Sequence, residues 1–217
     1  MATIKDIADK LGISVSTVSK GLNGAKDISE SLRQTVLETA VELGYTNRKL
    51  KKAENRQLCI FVENMEYEST NQFGYDIILG FRQAAFRENW DLSVQPVSHE
   101  FQQKEKYDTY MLKNGYSGSF MLGFSLEDPW MTQIQETNVP TVMLDNFIRI
   151  NPSVGYVGTD SEEGINMAIE YLMSLGHEKI AFLDGSRNSM ISDQRMLAYL
   201  DSMTAHHLPV DPNLAVY

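Results

Sequence analysis

The chain has 217 residues, 42% of them hydrophobic and 22% charged, which allows one small domain followed by a larger α/β one. A single cysteine, Cys59, excludes an intramolecular disulfide framework, and no run approaches the roughly 20 apolar residues that span a bilayer. The formal net charge of −10 argues against nucleic acid, but its distribution does not. Residues 1–57 hold seven Lys and three Arg against three Asp and four Glu, whereas the remainder holds nine basic and 22 acidic residues. A basic head on an acidic body is the asymmetry expected when only the head meets DNA. The start, Met1 to Asp6, has no apolar run, so a cytoplasmic protein without a membrane partner is expected.

Thr3 can cap a first helix, with Asp6 as its capping-box partner. Ile4, Ile7, Ala8 and Leu11 then follow the spacing of one buried helical stripe, and Gly12 ends it. Ser14 caps a second helix over about Val15–Leu22, held down by Val18 and Leu22. Val15, Ser16 and Lys20 fall on its other side. Asn23-Gly24 is a turn signal. Ser29 caps a third helix with Leu32, Val36, Ala40 and Leu43 inward and Gly44 as its stop. The short turn before the second helix has the layout of a helix-turn-helix, whose second helix enters the major groove.

Thr46 to Gln57 is polar, basic and free of glycine, which reads as a solvated linker. From Leu58 the periodicity changes. Strands are expected near Leu58–Val62, Leu92–Val97, Ser119–Leu122 and Thr141–Leu144, with helices near Tyr75–Glu88, Gln103–Lys113 and Pro129–Thr137 between or after them. A further helix carries Ile165, Ala168, Ile169 and Leu172 and stops at Gly176. A strand at Ile180–Leu183 and a helix over about Ser192–His206 follow, and Asn213 to Tyr217 reads as a strand beginning. Alternating apolar strands and helices imply a parallel sheet covered on both faces. Ligands of such sheets bind beyond the carboxyl ends of the strands.

Thr3-Ile4-Lys5-Asp6-Ile7-Ala8, Gly12-Ile13-Ser14, Thr17-Val18-Ser19-Lys20, Leu22-Asn23-Gly24 and Leu43-Gly44-Tyr45 form a nearly gapless pattern. It resembles the headpiece of lactose/galactose-repressor-type bacterial transcription regulators. The likeness continues through Asn71-Gln72-Phe73 with Gly80-Phe81, Val142-Met143-Leu144-Asp145, Asp160 with Gly164, Gly176-His177 and Arg195 with Tyr199. The resemblance implies a small all-α helix-turn-helix headpiece, then an α/β periplasmic-binding-protein-like core with a parallel sheet, helices on both faces and an incomplete second subdomain. The expected boundaries are 1–45 for the headpiece, 46–57 for a hinge, 58–145 for the first core subdomain and 146–217 for part of the second.

The same resemblance implies a repressor that binds a pseudo-palindromic double-stranded DNA operator as a homodimer in its full-length form. A small-molecule effector, a sugar or a related metabolite, would control it. Val15, Ser16 and Lys20 would read base edges, and Thr3, Ser14, Thr17, Ser19, Asn23 and Ser29 would bind phosphates. The family's hinge leucine, which wedges into the minor groove, has no counterpart here. Glu54, or Ala53 after a one-residue gap, stands at its place, and neither can wedge. Arg48, Lys49, Lys51 and Lys52 remain for electrostatic affinity.

For an effector, Arg195 follows the strand Ile180–Leu183 and the Asp184-Gly185-Ser186 loop at what reads as a helix start. A guanidinium there suits vicinal hydroxyls or a carboxylate; the bland alternative is a solvated surface arginine. Asp145 at another strand end either accepts from sugar hydroxyls or caps its loop. Phe73 either stacks on a ligand face or belongs to the core. Gly74 stands where the family has a second aromatic, leaving room for a larger or differently shaped effector.

No phosphate loop, nucleophile elbow, dinucleotide fingerprint or zinc-protease motif is present, so neither an enzyme nor a cofactor or metal is expected. Cys59, inside Leu58 to Val62, reads as a buried thiol. The adjacent His206 and His207 point to different helix faces and suit a solvated helix end better than a metal. The competing classes are a solute- or sugar-binding module without DNA regulation, and an α/β enzyme. The chain also ends where the resembling family continues, so a fragment or truncated product is expected.

Overall fold

The structure, a computed structural model, describes residues 2–45, 56–148 and 150–217. The first unit consists of α1 (Ile4–Leu11), α2 (Val15–Asn23) and α3 (Glu30–Glu42). Thr3, Ser14 and Ser29 cap them as expected, each hydroxyl accepting from a backbone N–H three residues on, and Thr3 with Asp6 closes a reciprocal capping box. Gly12 and Gly24 end the first two helices in the left-handed conformation at φ 64°, where a side chain would be strained. Ile7, Val18, Val36, Leu37 and Ala40 are fully buried. α2 crosses α3 at Gly21, where an added Cβ would lie 3.0 Å from Val36 Cγ1, so only glycine permits this approach without displacement. Leu37, absent from the predicted inward stripe, is as buried as Val36.

The main sheet joins β1 (Gln57–Val62), β2 (Asp91–Pro96), β3 (Gly118–Leu122), β4 (Thr141–Leu144) and β5 (Val154–Val157) in the order β2-β1-β3-β4-β5, all parallel. Alternation of side chains assigns β1 and β3 to two cores. Cys59, Phe61 and Met121 enter one with Tyr107, Met111 and Trp130, while Ile60, Val62, Phe120 and Leu122 enter the other with Ile78. Helix α4 (Phe73–Arg87) supplies Ile78; α6 (Tyr107–Asn114) and α7 (Pro129–Ile134) supply the aromatic core on the opposite face. Burial on both faces is why β1 and β3 read as continuous apolar runs. Cys59 is fully buried, and that burial pushes its thiol up to about 12, which makes it inert.

The second lobe holds α8 (Ser161–Ser174), β6 (Phe182–Leu183), α9 (Met190–Ala205) and β7 (Ala215–Val216). β6 and β7 pair in parallel, and Ile169, Ile180, Tyr199 and Met203 form the core beneath α8 and α9.

Four expectations change. β5 was not foreseen; it extends the main sheet past residue 145, so the first lobe runs through Val157 rather than ending at Asp145. Its sequence, Val-Gly-Tyr-Val, is short and its last two side chains are exposed, which hides the period. The single helix expected over Gln103–Lys113 is two, α5 (His99–Lys104) and α6, broken at an extended Glu105. That break frees the Glu105 carbonyl to accept from Trp130 Nε1 at 2.7 Å and the Tyr107 N–H to donate to Gln133 Oε1 at 2.8 Å. β6 covers only half of the expected Ile180–Leu183, because the Ile180 carbonyl accepts from the Tyr199 hydroxyl at 2.9 Å instead. Finally, Arg56 and Gln57 belong to the core: Arg56 donates to the Glu88 carbonyl and lies over the Trp90 ring, and Gln57 opens β1. The rest of the expected hinge, including Arg48, Lys49, Lys51, Lys52, Ala53 and Glu54, lies outside the described residues.

Candidate DNA-reading face and effector cleft

The packing of α2 through Val18, Gly21 and Leu22 leaves its opposite face turned outward. Val15, Ser16 and Lys20 are exposed there, and Ser14 precedes them at the helix start. The Ser14 hydroxyl lies 2.7 Å from Ser16 Oγ and 2.8 Å from Thr17 Oγ1 while accepting from the Thr17 N–H. These three hydroxyls form one small polar cluster beside the positive end of the helix dipole, a setting that favours anions. Ser19 and Asn23 are also joined, since Asn23 Nδ2 donates to the Ser19 carbonyl at 2.7 Å. Thr3 and Ser29 stand at the starts of the other two helices.

One feature of this face was not read from the sequence. Lys20 Nζ is paired with Asp27 in the loop before α3. The ammonium holds the Asp27 carboxyl below the usual carboxylate range. Lys20 is therefore open to another partner only by sharing or leaving Asp27. An acid seven residues away across a turn carries no periodic signal, so the pair emerges only with the loop conformation.

The expected effector residues sit at three different places. Phe73 is the first residue of α4 and is 70% exposed, which removes the core-aromatic reading. Gly74 does not leave an open space: it is buried, and an added Cβ would lie 2.7 Å from the Glu66 carbonyl oxygen and 3.0 Å from Tyr67 Cβ. The loop after β1 fills the space beside Gly74 that was expected to stay open for an effector. Asp145 follows β4 at φ 56°, and its N–H donates to the Val157 carbonyl at 2.9 Å. Its Oδ1 is buried without a hydrogen-bond partner and lies against Gly158, where a Cβ would come within 2.7 Å. Arg195 is half-buried in the second turn of α9, because that helix begins at Met190 rather than at Arg195.

Two hollows of about 550 and 530 Å³ flank β5, sharing Phe147 and Tyr156 in their walls. Neither is lined by Phe73, Asp145 or Arg195. The two lobes do meet at the carboxyl ends of the strands, through residues the sequence reading missed. The Leu126 N–H and the Ser125 hydroxyl donate to the Asn188 carbonyl at 2.9 and 3.2 Å, and Asn188 Nδ2 donates to Glu127 Oε2 at 3.0 Å. Beside them, burial and then the Asp128 charge push the Glu63 carboxyl above its ordinary range, while Gln102 Nε2 donates to it at 3.2 Å.

Comparison with known proteins extends this picture. Residues 3–47 match the family model described as "Bacterial regulatory proteins, lacI family". The probable HTH-type transcriptional repressor ExuR of Bacillus subtilis is 29% identical over 221 residues, covering 100% of this chain and 64% of that protein. The HTH-type transcriptional repressor CytR of Escherichia coli K12 is 26% identical over 216 residues, covering 97% of this chain and 62% of its own length. The chain thus spans a little under two thirds of these relatives. Among solved structures, the lac repressor dimer bound to operator and the anti-inducer ONPF superposes with a TM-score of 0.57 at 21% identity, over 99% of this chain and 64% of that one. The transcriptional regulator CelR–cellobiose complex gives 0.59 at 23% identity, over 100% and 65%. These structures share the fold, and the named relatives are regulators rather than enzymes. No helix among the described residues is long and apolar enough to cross a membrane. Residues 3–47 thus match the lacI family of bacterial regulatory proteins, and the chain as a whole is similar to HTH-type transcriptional repressors.

Proposed function

We propose that this chain is a sequence-specific DNA-binding transcription regulator, a repressor, controlled by a small-molecule effector. The observation that carries the reading is α2: a capped helix seated on a fully buried cluster, with Val15, Ser16 and Lys20 exposed together. In this reading those three residues meet base edges in the major groove, Lys20 reaching guanine acceptors once Asp27 lets it go. Thr3, Ser14, Thr17, Ser19, Asn23 and Ser29 hold phosphates and set the register. Residues 1–45 are the headpiece and residues from 46 the hinge, with two core lobes behind them. The full-length protein acts as a homodimer on a pseudo-palindromic operator in the cytoplasm, protein symmetry matching site symmetry.

The effector is a sugar or a related metabolite. Phe73, Asp145 and Arg195, which stand apart in this structure, come to it as the two lobes close, Phe73 stacking, Asp145 accepting from hydroxyls and Arg195 gripping a vicinal pair or a carboxylate. The cellobiose held by the similar regulator supports a saccharide. The unpartnered buried Oδ1 of Asp145 supports an acceptor awaiting a donor. The effector alters DNA binding only to the extent that it binds the two states of the core unequally.

In vitro selection of bound DNA from a random pool tests the reading. A palindrome emerging supports both the regulator and the dimer; no enriched sequence leaves a solute-binding module as the better account. On a selected site, Lys20→Ala is expected to lose about 1–3 kcal/mol of operator preference while non-specific binding persists. Equal weakening on operator and random DNA would reduce Lys20 to a phosphate contact.

A further inference from the structure

Helix α6 belongs to two parts of the molecule at once. Tyr107 and Met111 bury it in the aromatic core below the main sheet. Leu112 and Lys113, with Lys106 just before its first turn, meet the headpiece. Leu112 packs against the cluster that contains Ile7, Val36 and Leu37. Lys113 Nζ lies 3.3 Å from Glu30 Oε1, and Lys106 Nζ lies 3.4 Å from Glu38 Oε1.

Glu30 opens α3 and Lys113 stands near the end of α6, while Glu38 lies further along α3 and Lys106 immediately precedes α6. The two helices therefore run antiparallel, with an acidic row facing a basic one and an apolar contact between. Val15, Ser16 and Lys20 take no part in this contact and stay exposed.

We propose that α6 is a docking platform for the headpiece: Lys106, Leu112 and Lys113 seat α3 on the core and leave α2 facing outward. Three of the four charged side chains in the two pairs are more than 40% exposed. Each pair is then individually weak and open to screening by salt. A seat of this kind holds the headpiece reversibly, as a switchable element requires. Docking is independent of the DNA-binding reading; only the orientation of α2 draws on it.

Amide hydrogen exchange on the whole chain tests the seat. The double charge reversal K106E/K113E is expected to lower the protection of α3 about tenfold, as local opening is released from the core, while β1 and β3 keep theirs. About 0.5 M NaCl should act in the same direction on the unmodified chain. The swapped quadruple E30K/E38K/K106E/K113E should restore protection. Protection of α3 that ignores both reversal and salt, or a loss the swap does not repair, overturns the seat. Should K106E/K113E also unfold β1, E30K/E38K asks the same question from the headpiece side, with the same two outcomes. A random-sequence DNA duplex then tests the orientation. If α6 stays protected on the duplex, α2 reads DNA from the docked position; if α6 becomes exposed, that part is overturned. A chain that binds no DNA while α3 remains salt-sensitive refutes the regulator reading and not the seat.

Discussion

The headpiece and the main sheet solve the same problem with different means. In the headpiece all three helices begin on a hydroxyl cap, and two of them end on a left-handed glycine. In the core, Ser98 and Asp160 cap α5 and α8, but α4, α6, α7 and α9 begin without a side-chain cap hydrogen bond. A unit of some 45 residues buries little apolar surface, so terms of about 1 kcal/mol at each helix end decide whether it folds. The sheet buries Phe61, Ile60, Leu122, Tyr107 and Trp130 completely, and burial on that scale makes caps dispensable. Small domains are written in local signals and large ones in distant contacts.

The largest effect should come from the sheet's centre. Phe61 is fully buried and its ring centroid lies 5.0 Å from that of Trp130 and 6.1 Å from that of Tyr107. Phe61→Ala is expected to cost about 3–5 kcal/mol and to shift Trp130 fluorescence, read by urea unfolding. A loss below about 1 kcal/mol would mean that the aromatic core collapses around the hole and carries less than its burial implies.

In the headpiece, Leu37→Ala removes a fully buried side chain from a much smaller cluster. The cost, about 2–5 kcal/mol, rivals the whole stability of so small a unit. Helical circular dichroism should fall while the emission of Trp90 and Trp130, both in the core, stays unchanged. If both signals fall together, the headpiece and the core unfold as one unit and the contrast between them breaks.

The same contrast explains what was legible in the sequence. Caps, glycine stops and the stripe of Ile4, Ile7, Ala8 and Leu11 are local, and all three headpiece helices lie where those signals put them. In the core, β1 and β3 were legible because burial on both faces leaves an apolar run, and β4 because Thr141 to Leu144 is a short apolar run even though Val142 is exposed. β5 was not, because it is an edge strand whose register comes from β4 rather than from its own pattern. The break between α5 and α6 was equally hidden, since Trp130 and Gln133 on another helix create it. At the candidate site the exposed face of α2 followed from periodicity, whereas Asp27 and Asn188 act through turns whose shape no spacing announces.

A matched pair of substitutions sharpens the difference over caps. Ser14→Ala removes the acceptor of the Thr17 N–H and is expected to cost the headpiece about 1 kcal/mol. Ser189 occupies the same position before α9 without capping it. Ser189→Ala should therefore leave the urea midpoint unchanged. Equal losses at the two sites would show that the hydroxyl acts through something other than the helix end.

The smallest effect is electrostatic and separates the regions by pH. In the headpiece, hydrogen bonds from Thr3 hold the Asp6 carboxyl below its ordinary value. Its contribution is present above the unfolded value and is lost as pH falls through the lower folded one. Asp108 in α6 is the reverse. Burial pushes its carboxyl upward despite hydrogen bonds from the Thr137 hydroxyl and the Asn138 N–H. The folded chain keeps that proton to a higher pH than the unfolded chain does. Stability should then decline as pH rises from about 4, where the unfolded carboxyl titrates, through the raised folded value. Asp108→Asn retains an acceptor for Thr137 and has no proton to lose. The difference between the unfolding midpoints of the parent chain and Asp108→Asn should favour the parent at pH 4 and shrink or reverse by pH 7. A difference that stays flat, or moves toward the parent as pH rises, would mean that the hydrogen bonds outweigh burial at Asp108 and that the core carries its acid as the headpiece carries Asp6.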